Sequence, residues 1–232
     1  MIREVREISR DEAIPFLMRV HYARSVPQLM HCFGLFVDNV LCGVVTYGIP
    51  ASPTLCRGLA GDEEFYNILE LNRLVICDQN RNDASFLVGR SLRMLPRHRY
   101  VVSYADWGGW GHVGYIYQAT NFLYTGLSAS RTDVASNGKH SRTAFKKGED
   151  HSHRQPRSRK HRYVFVCASN KREKKEMLSK IKYTVLPYPK GATRRYNTDD
   201  PQSLMPELDR HQSMSKDVQG DLFYGNILME AK

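Results

Sequence analysis

The chain has no stretch approaching the ~18 to 20 continuous apolar residues that a membrane span needs. Its first ten residues, MIREVREISR, alternate in charge and lack the apolar centre of a secretory signal. A cytoplasmic protein is the expectation. No CxxC pair occurs. The five cysteines, Cys32, Cys42, Cys56, Cys77 and Cys167, are odd in number and widely spaced, which argues against structural zinc and for buried, reduced thiols. No internal repeat is present. Apolar and aromatic residues are not scarce, at 41% and 10%, which excludes a disordered chain. A chain of 232 residues buries roughly 70% of its unfolded surface, enough for one sizeable core.

Acidic residues are scarce in one place. Between Lys139 and Tyr196 there are 18 Lys and Arg but 4 Asp and Glu, a local net of +14, whereas the whole chain carries +10. A slightly acidic body therefore bears one strongly basic segment. Its opening part, residues 139–162, holds nine Lys or Arg and four His with few apolar residues. Cations at this density suit an arm that tracks a polyanion, so nucleic acid is the expected partner. An anionic membrane would call for an amphipathic apolar face, which the segment lacks.

Periodicity places the elements. Residues 4–8 alternate as a strand. Ser9 and Glu12 have capping-box spacing before a helix that ends near residues 21–23, with Pro15 expected in about its first turn. Residues 33–37 and 40–47 form a hairpin about Asp38-Asn39, a pair that tolerates positive φ. A strand is predicted over 69–76, a polar loop over 77–83 and an amphipathic helix over 84–95. A strand over 100–107, a glycine-rich turn, a helix over 112–120 and a strand over 122–125 come next. After the basic segment come a strand at 163–168 and a helix at 171–182. The order predicts an α/β (α+β) fold, a central mixed sheet with helices on both faces. Residues 1–186 are expected to form one domain with the basic stretch 139–162 inserted, and 187–232 an extended or disordered tail.

Four ordered blocks carry a resemblance. ELNRLVI (70–76), SFLVGRSLRMLP (85–96), VSYADW (102–107) and GHVGYIYQATNFLYTG (111–126) together resemble the Mom family of phage DNA-modification proteins. The strand, polar loop and helix around 71–85 also resemble the central unit of GNAT acyltransferases. The resemblance implies a GNAT-like fold and addition of a carbamoylmethyl (acetamido) group to adenine N6 in double-stranded DNA. That modification protects phage DNA from host restriction, in the host cytoplasm. It also implies that the loop and the following helix N-terminus meet the donor, with Asn82, Ser85, Gly89 and Asn121 as candidate cofactor-binding residues. The loop departs from the Arg/Gln-x-x-Gly-x-Gly/Ala run of ordinary GNAT proteins: it has no glycine until Gly89, so its backbone approaches a pyrophosphate less closely. The donor is left open between acetyl-coenzyme A and an aminoacyl (glycyl) carrier such as a charged tRNA.

Ser103 and Asp106 lie at the C-terminal end of a strand, where open α/β sheets bind ligands. Ser103 could position the donor or act as nucleophile, and Asp106 could take the proton of the adenine amine, whose delocalised lone pair makes it a poor nucleophile. The alternative is that both cap the following turn. Arg73, in a polar cluster with Glu70 and Asn72, could hold a donor carbonyl or phosphate, or pair with an acid such as Asp106. Alternation puts Glu70 and Asn72 on one face and Arg73 on the other. The resemblance to the GNAT pattern implies that His21 and Tyr22 lie near the acceptor, with core packing as the alternative, and that Tyr117 protonates the leaving group by its position, with Asn121 four residues on along one helix face. Asp106 and His112 could share a divalent metal such as iron, although two ligands do not make a site. Trp107 and Trp110 could stack on a flipped base or simply pack. Arg131 and Asp133 could orient substrate or lead into the arm, where Lys139, Arg142, Arg157, Arg159 and Lys160 would hold the DNA backbone. A homodimer is compatible with the sequence. Two rival readings stand beside the DNA-modifying enzyme: an N-acetyltransferase acting on a small amine or protein, and a non-catalytic DNA-binding protein.

Overall fold

The computed structural model describes residues 2–20, 26–77, 80, 82–107, 111–134 and 154–191. The chain runs β1 (Arg3–Glu7), α1 (Arg10–Val20), β2 (His31–Val37), β3 (Val40–Gly48), α2 (Pro53–Ala60), a 3₁₀ turn (Asp62–Asn67), β4 (Ile68–Ile76) and α3 (Asp83–Met94). It continues β5 (Arg99–Asp106), α4 (Tyr115–Ala119), β6 (Leu123–Leu127), β7 (Arg131–Val134), β8 (Arg154–Arg157), β9 (Lys160–Cys167) and α5 (Lys171–Lys180). Seven strands form one sheet in the order β1-β2-β3-β4-β5-β9-β6, and β7 and β8 form a separate two-stranded ribbon.

The expected mixed α/β sheet is present. β1 to β4 are successively antiparallel, and β4 and β5 are parallel. The β2–β3 hairpin turns through Asp38 and Asn39 at φ 46° and 68°, the conformation that a two-residue turn of this hand demands. Alternation then sorts side chains to two faces. On one, Phe33, Leu35, Val45, Tyr47, Leu69 and Leu71 pack against Leu87, Val88 and Leu92 of α3. On the other, Phe36, Val44 and Val75 meet Phe16 and Leu17 of α1, while Ile68, Tyr100, Val102 and Val164 meet Leu55 and Leu59 of α2 and Met177 of α5. Each such side chain contributes about 1.5–3 kcal/mol by leaving water. All five cysteines are free thiols, four buried and Cys77 exposed.

The chain divides into two compact units. The first comprises Met1–Ala105, Gly114–Gly126 and His161–Pro189; the second comprises Asp106–Val113, Leu127–Lys160 and Lys190–Lys232. The first holds most of the sheet and its helices, and the second holds the β7–β8 ribbon. No helix among the described residues is long and apolar enough to cross a membrane.

Several elements differ from expectation for identifiable reasons. The capping box is present, with Glu12 N–H donating to Ser9 Oγ and Ser9 N–H to Glu12 Oε2. α1 nevertheless starts at Arg10, so Pro15 falls in its interior, where it removes one helical donor. α4 is shorter than the predicted 112–120. Gly114 precedes it at φ 77°, and a Cβ there would lie 2.5 Å from the Tyr163 ring, so this close approach requires glycine. β9 starts at Lys160 rather than 163. Lys160 N–H donates to Ser128 Oγ and Ser128 N–H to the Lys160 carbonyl, His161 is buried, and Arg162 bonds Thr125 and covers the Tyr183 ring. The last three residues of the basic segment are thus strand.

A partly buried polar network ties α5 to the 3₁₀ turn and to His98 just before β5. His98 Nδ1 lies 2.9 Å from Glu173 Oε1 and its Nε2 lies 3.1 Å from Glu64 Oε2. Lys180 Nζ donates to Glu64 Oε1 at 2.8 Å, and Asn67 donates to Oε2. The bond to Glu173 raises the His98 pKa above its ordinary value of 6.5, against the effect of burial, and Glu64 adds to the rise. Burial pushes the Glu64 carboxyl up, but the bonds from Lys180, Asn67 and His98 outweigh it and the net shift is downward. Glu173 is lowered by the Ser169 amide and by His98. A raised histidine contributes stability that is full below the unfolded pKa and lost as pH rises through the folded one. Lowered carboxyls contribute stability that is lost as pH falls. Melting temperature is therefore expected to pass through a plateau between the carboxylate and histidine ranges. His98→Gln should flatten its alkaline limb and leave much of the acid limb, as read by thermal melts from about pH 4 to about pH 9.

Candidate functional site

β4 and β5 pair in parallel from Ile68↔Tyr100 to Glu70↔Val102. Beyond that, β4 stays on β3 as far as Gly43↔Ile76, while β5 runs on to Asp106. Ser103 stands at the parting. It is 0% exposed, and its hydroxyl donates to the Leu71 carbonyl at 3.2 Å. As placed, it is a clasp inside the core between the two strands.

Just past the parting, β4 bulges. Leu71 is opposite Tyr47 and Arg73 is opposite Thr46, so Asn72 is the extra residue. Asn72 Oδ1 accepts from Thr46 Oγ1 at 2.6 Å and its Nδ2 donates to the Gln28 carbonyl at 2.9 Å. Gly48 makes that arrangement fit, because a Cβ there would lie 1.8 Å from the Gln28 oxygen. The bulge overturns the simple alternation expected for Glu70, Asn72 and Arg73. Arg73 shares the face of Thr46 by register, and Asn72 reaches the same threonine. Arg73 Nη1 donates to the Asn72 carbonyl at 2.8 Å.

The opposite face carries a group of phenols. The half-buried Tyr117 ring on α4 lies 5.2 Å from that of Tyr163 and 5.4 Å from Phe122. Gln118 Nε2 donates to the Tyr163 hydroxyl at 3.1 Å, and burial pushes that phenol up to about 12. Tyr124 OH lies 2.8 Å from His161 Nδ1. Tyr47 OH lies 2.6 Å from Ser91 Oγ, and burial raises its pKa. At neutral pH Tyr47 and Tyr163 stay protonated. Tyr117 and Arg73 therefore sit on opposite faces of the sheet. Asn121 does not share a helix face with Tyr117 as expected: α4 ends at Ala119, and Asn121 turns away at φ 61°.

At the start of α3, Asn82 is left-handed at φ 75° and makes no side-chain cap. Ser85 Oγ donates to the Asn82 carbonyl at 3.0 Å. Gly89 lies within α3, where a Cβ would meet Thr120 Cγ2 at ordinary van der Waals distance. The residue that sequence reasoning passed over is Asp83. It is fully buried at the first position of the helix, and Arg3 Nη1 of β1 lies 3.2 Å from its Oδ1. Its one sequence signal was an acid at a helix start.

In the second unit, Asp106 Oδ2 lies 3.3 Å from Lys160 Nζ, and its backbone carbonyl accepts from His112 N–H. Desolvation holds the His112 imidazole below its ordinary value, and the Asp106 charge acts against that. This pair does not fit a metal. The Asp106 carboxylate already has an ammonium partner, and among the described residues no group of three His, Cys, Asp or Glu could hold an ion. Trp107 is 46% exposed, and its backbone N–H donates to the Arg159 carbonyl. The exposed Arg159 gives its Nε to the Ser128 carbonyl at 2.9 Å. Arg131, also exposed, stands opposite Arg157 across the β7–β8 ribbon, and Asp133 opposite Gln155. His21, Tyr22, Trp110, Lys139 and Arg142 lie outside the described residues.

Removing the Ser103 hydroxyl leaves the Leu71 carbonyl to find another donor. Ser103→Ala is expected to cost about 1–3 kcal/mol, read as a lower denaturant midpoint at unchanged slope.

The sequence matches the Mom protein family over residues 3–190. No curated protein matches it. Among solved structures, an acetyltransferase of the GNAT family from Bacillus cereus is similar at 13% identity and a TM-score of 0.40, covering 72% of this chain and 98% of that one. The ribosomal-protein-S18-alanine N-acetyltransferase of Escherichia coli is similar at 8% identity and 0.43, over 73% and 96%. A Bacillus subtilis acetyltransferase in complex with CoA is similar at 12% identity and 0.40, over 71% and 97%.

Proposed function

The chain belongs to the Mom protein family, and on that premise we propose that it is a GNAT-like transferase that adds a carbamoylmethyl, glycine-derived group to adenine N6 in double-stranded DNA and so shields phage DNA from restriction. The family match over residues 3–190 carries this reading. The parted β4 and β5 strands support it, because two diverging strand ends offer backbone groups and side chains to a ligand.

The roles are assigned residue by residue. Asp106 takes the N6 proton as the new bond forms, which the delocalised amine requires; Lys160 positions its carboxylate. N6 bonds to the donor's methylene carbon, the bond from that carbon to the leaving group breaks, and Tyr117 returns a proton to the departing group. Arg73 holds the donor carbonyl. Ser103 keeps β4 and β5 in register at their parting and acts as a positioning residue. We assign His21 and Tyr22 to contact with the acceptor, and Trp107 or Trp110 to stacking on the extruded base. Arg131, Arg157 and Arg159, with Lys139 and Arg142, hold the phosphates.

Nucleosides from plasmid DNA of bacteria expressing the chain are expected to include a deoxyadenosine heavier by the carbamoylmethyl unit. Unmodified deoxyadenosine alongside folded protein would overturn the reading in favour of a small-amine acetyltransferase or a plain DNA binder. Asp106→Asn should abolish the heavier nucleoside while leaving DNA affinity near normal. Replacing Arg131, Arg157 and Arg159 together with Ala should weaken binding to all duplexes alike. It should lower the slope of log K against log salt by about 0.9 for each phosphate no longer neutralised.

A further inference from the structure

The start of α3 is where a helix of twelve residues would ordinarily receive an anion, since its first N–H groups are unpaired and its dipole is positive there. In this chain that end already holds one. The Asp83 carboxylate is 0% exposed at the first helical position, and Arg3, whose side chain is 35% exposed, reaches across from β1 to pair with it. The pair sums to zero charge, so Arg3 leaves no net positive potential for a second anion. A diphosphate brought to this turn would meet a closed ion pair rather than a free guanidinium, and would have to compete with the Asp83 carboxylate for Arg3. Two neighbouring donors are committed as well. Asp83 N–H is given to the Asn80 carbonyl at 3.2 Å, and the Ser85 hydroxyl to the Asn82 carbonyl. No glycine stands between Asp78 and Ser85 to let a backbone come close.

We propose that Asp83, held by Arg3, closes the N-terminus of α3 to diphosphate groups, so that the donor of this transferase is one that presents no diphosphate there. Coenzyme A does not fit this helix start, and the residues instead suit a donor recognised through its acyl end. The inference rests on the transferase reading for the word donor, but its test does not depend on DNA.

Full-length protein is titrated calorimetrically with coenzyme A and with pantetheine, which shares the thiol arm and lacks the diphosphate. Wild type is expected to bind the two equally or to bind neither. Asp83→Asn, which keeps the shape and removes the charge, and Asp83→Ser are expected to acquire a preference for coenzyme A of about tenfold. A wild-type preference of about tenfold or more that Asp83→Asn leaves unchanged would overturn the proposal. The wild-type ratio decides by itself if neither variant folds, as circular dichroism will show. A failed search for modified adenine would leave this result untouched, and a coenzyme A preference would leave adenine modification standing.

Discussion

Where β4 leaves β5, the backbone polar groups on two inner strand edges have to find partners other than each other. Buried N–H and carbonyl groups rarely go unpaired, so the parting is possible only with local substitutes. Ser103 supplies the first by donating to Leu71. The bulge at Asn72 supplies the second, turning β4 so that Asn72 binds Thr46 and the Gln28 carbonyl. Those substitutes set which side chains come to the opening and from which face. Arg73 arrives beside Thr46, while the phenols about Tyr117 arrive from the side of α3 and α4.

The polar groups of the core follow one rule with one exception. Glu64 has Lys180, Asn67 and His98; Tyr47 has Ser91; Tyr124 has His161. All but the Glu64–Asn67 bond join separate elements, so each of those fixes one element against another. Replacing one partner would expose the desolvation cost of the other. Asp83 is the exception. Among the described residues its ionic partner is a single guanidinium, and it sits where a helix would otherwise offer its own dipole to a ligand. A charge kept in that position costs more than an apolar residue would, which is why its role is read as selection among donors rather than as support for the fold.

The second unit has a different character. Its cations are partly neutralised from within, Lys160 by Asp106. Others stay exposed along the ribbon and its flank, as Arg131 and Arg159 do. Arg131 and Arg157 stand opposite one another by register.

Period-2 and period-3.6 patterns in the sequence were sufficient for the mixed sheet, for helices on both faces and for the Asp38-Asn39 turn, because these follow from local sterics and from which residues avoid water. Net charge was sufficient for the basic segment, and the four ordered blocks for the family. Asn72 shows where that reading stops. Its bulge depends on Thr46 and Gln28, which lie 26 and 44 residues away in the chain, and a strand read by alternation carries no sign of an extra residue. Asp83 looked like any acid beginning a helix until β1 brought Arg3 to it. Ser103, read from the sequence as a donor-positioning residue, a nucleophile or a turn cap, is joined to the Leu71 carbonyl 32 residues away. The sequence by itself determined most strands of the main sheet, the charge and the family, since each is a property of neighbours along the chain, whereas α2 and the β7–β8 ribbon were not legible in it. Which polar side chains are clasps and which face the opening was decided only by tertiary structure, because burial and hydrogen bonding belong to residues distant in sequence.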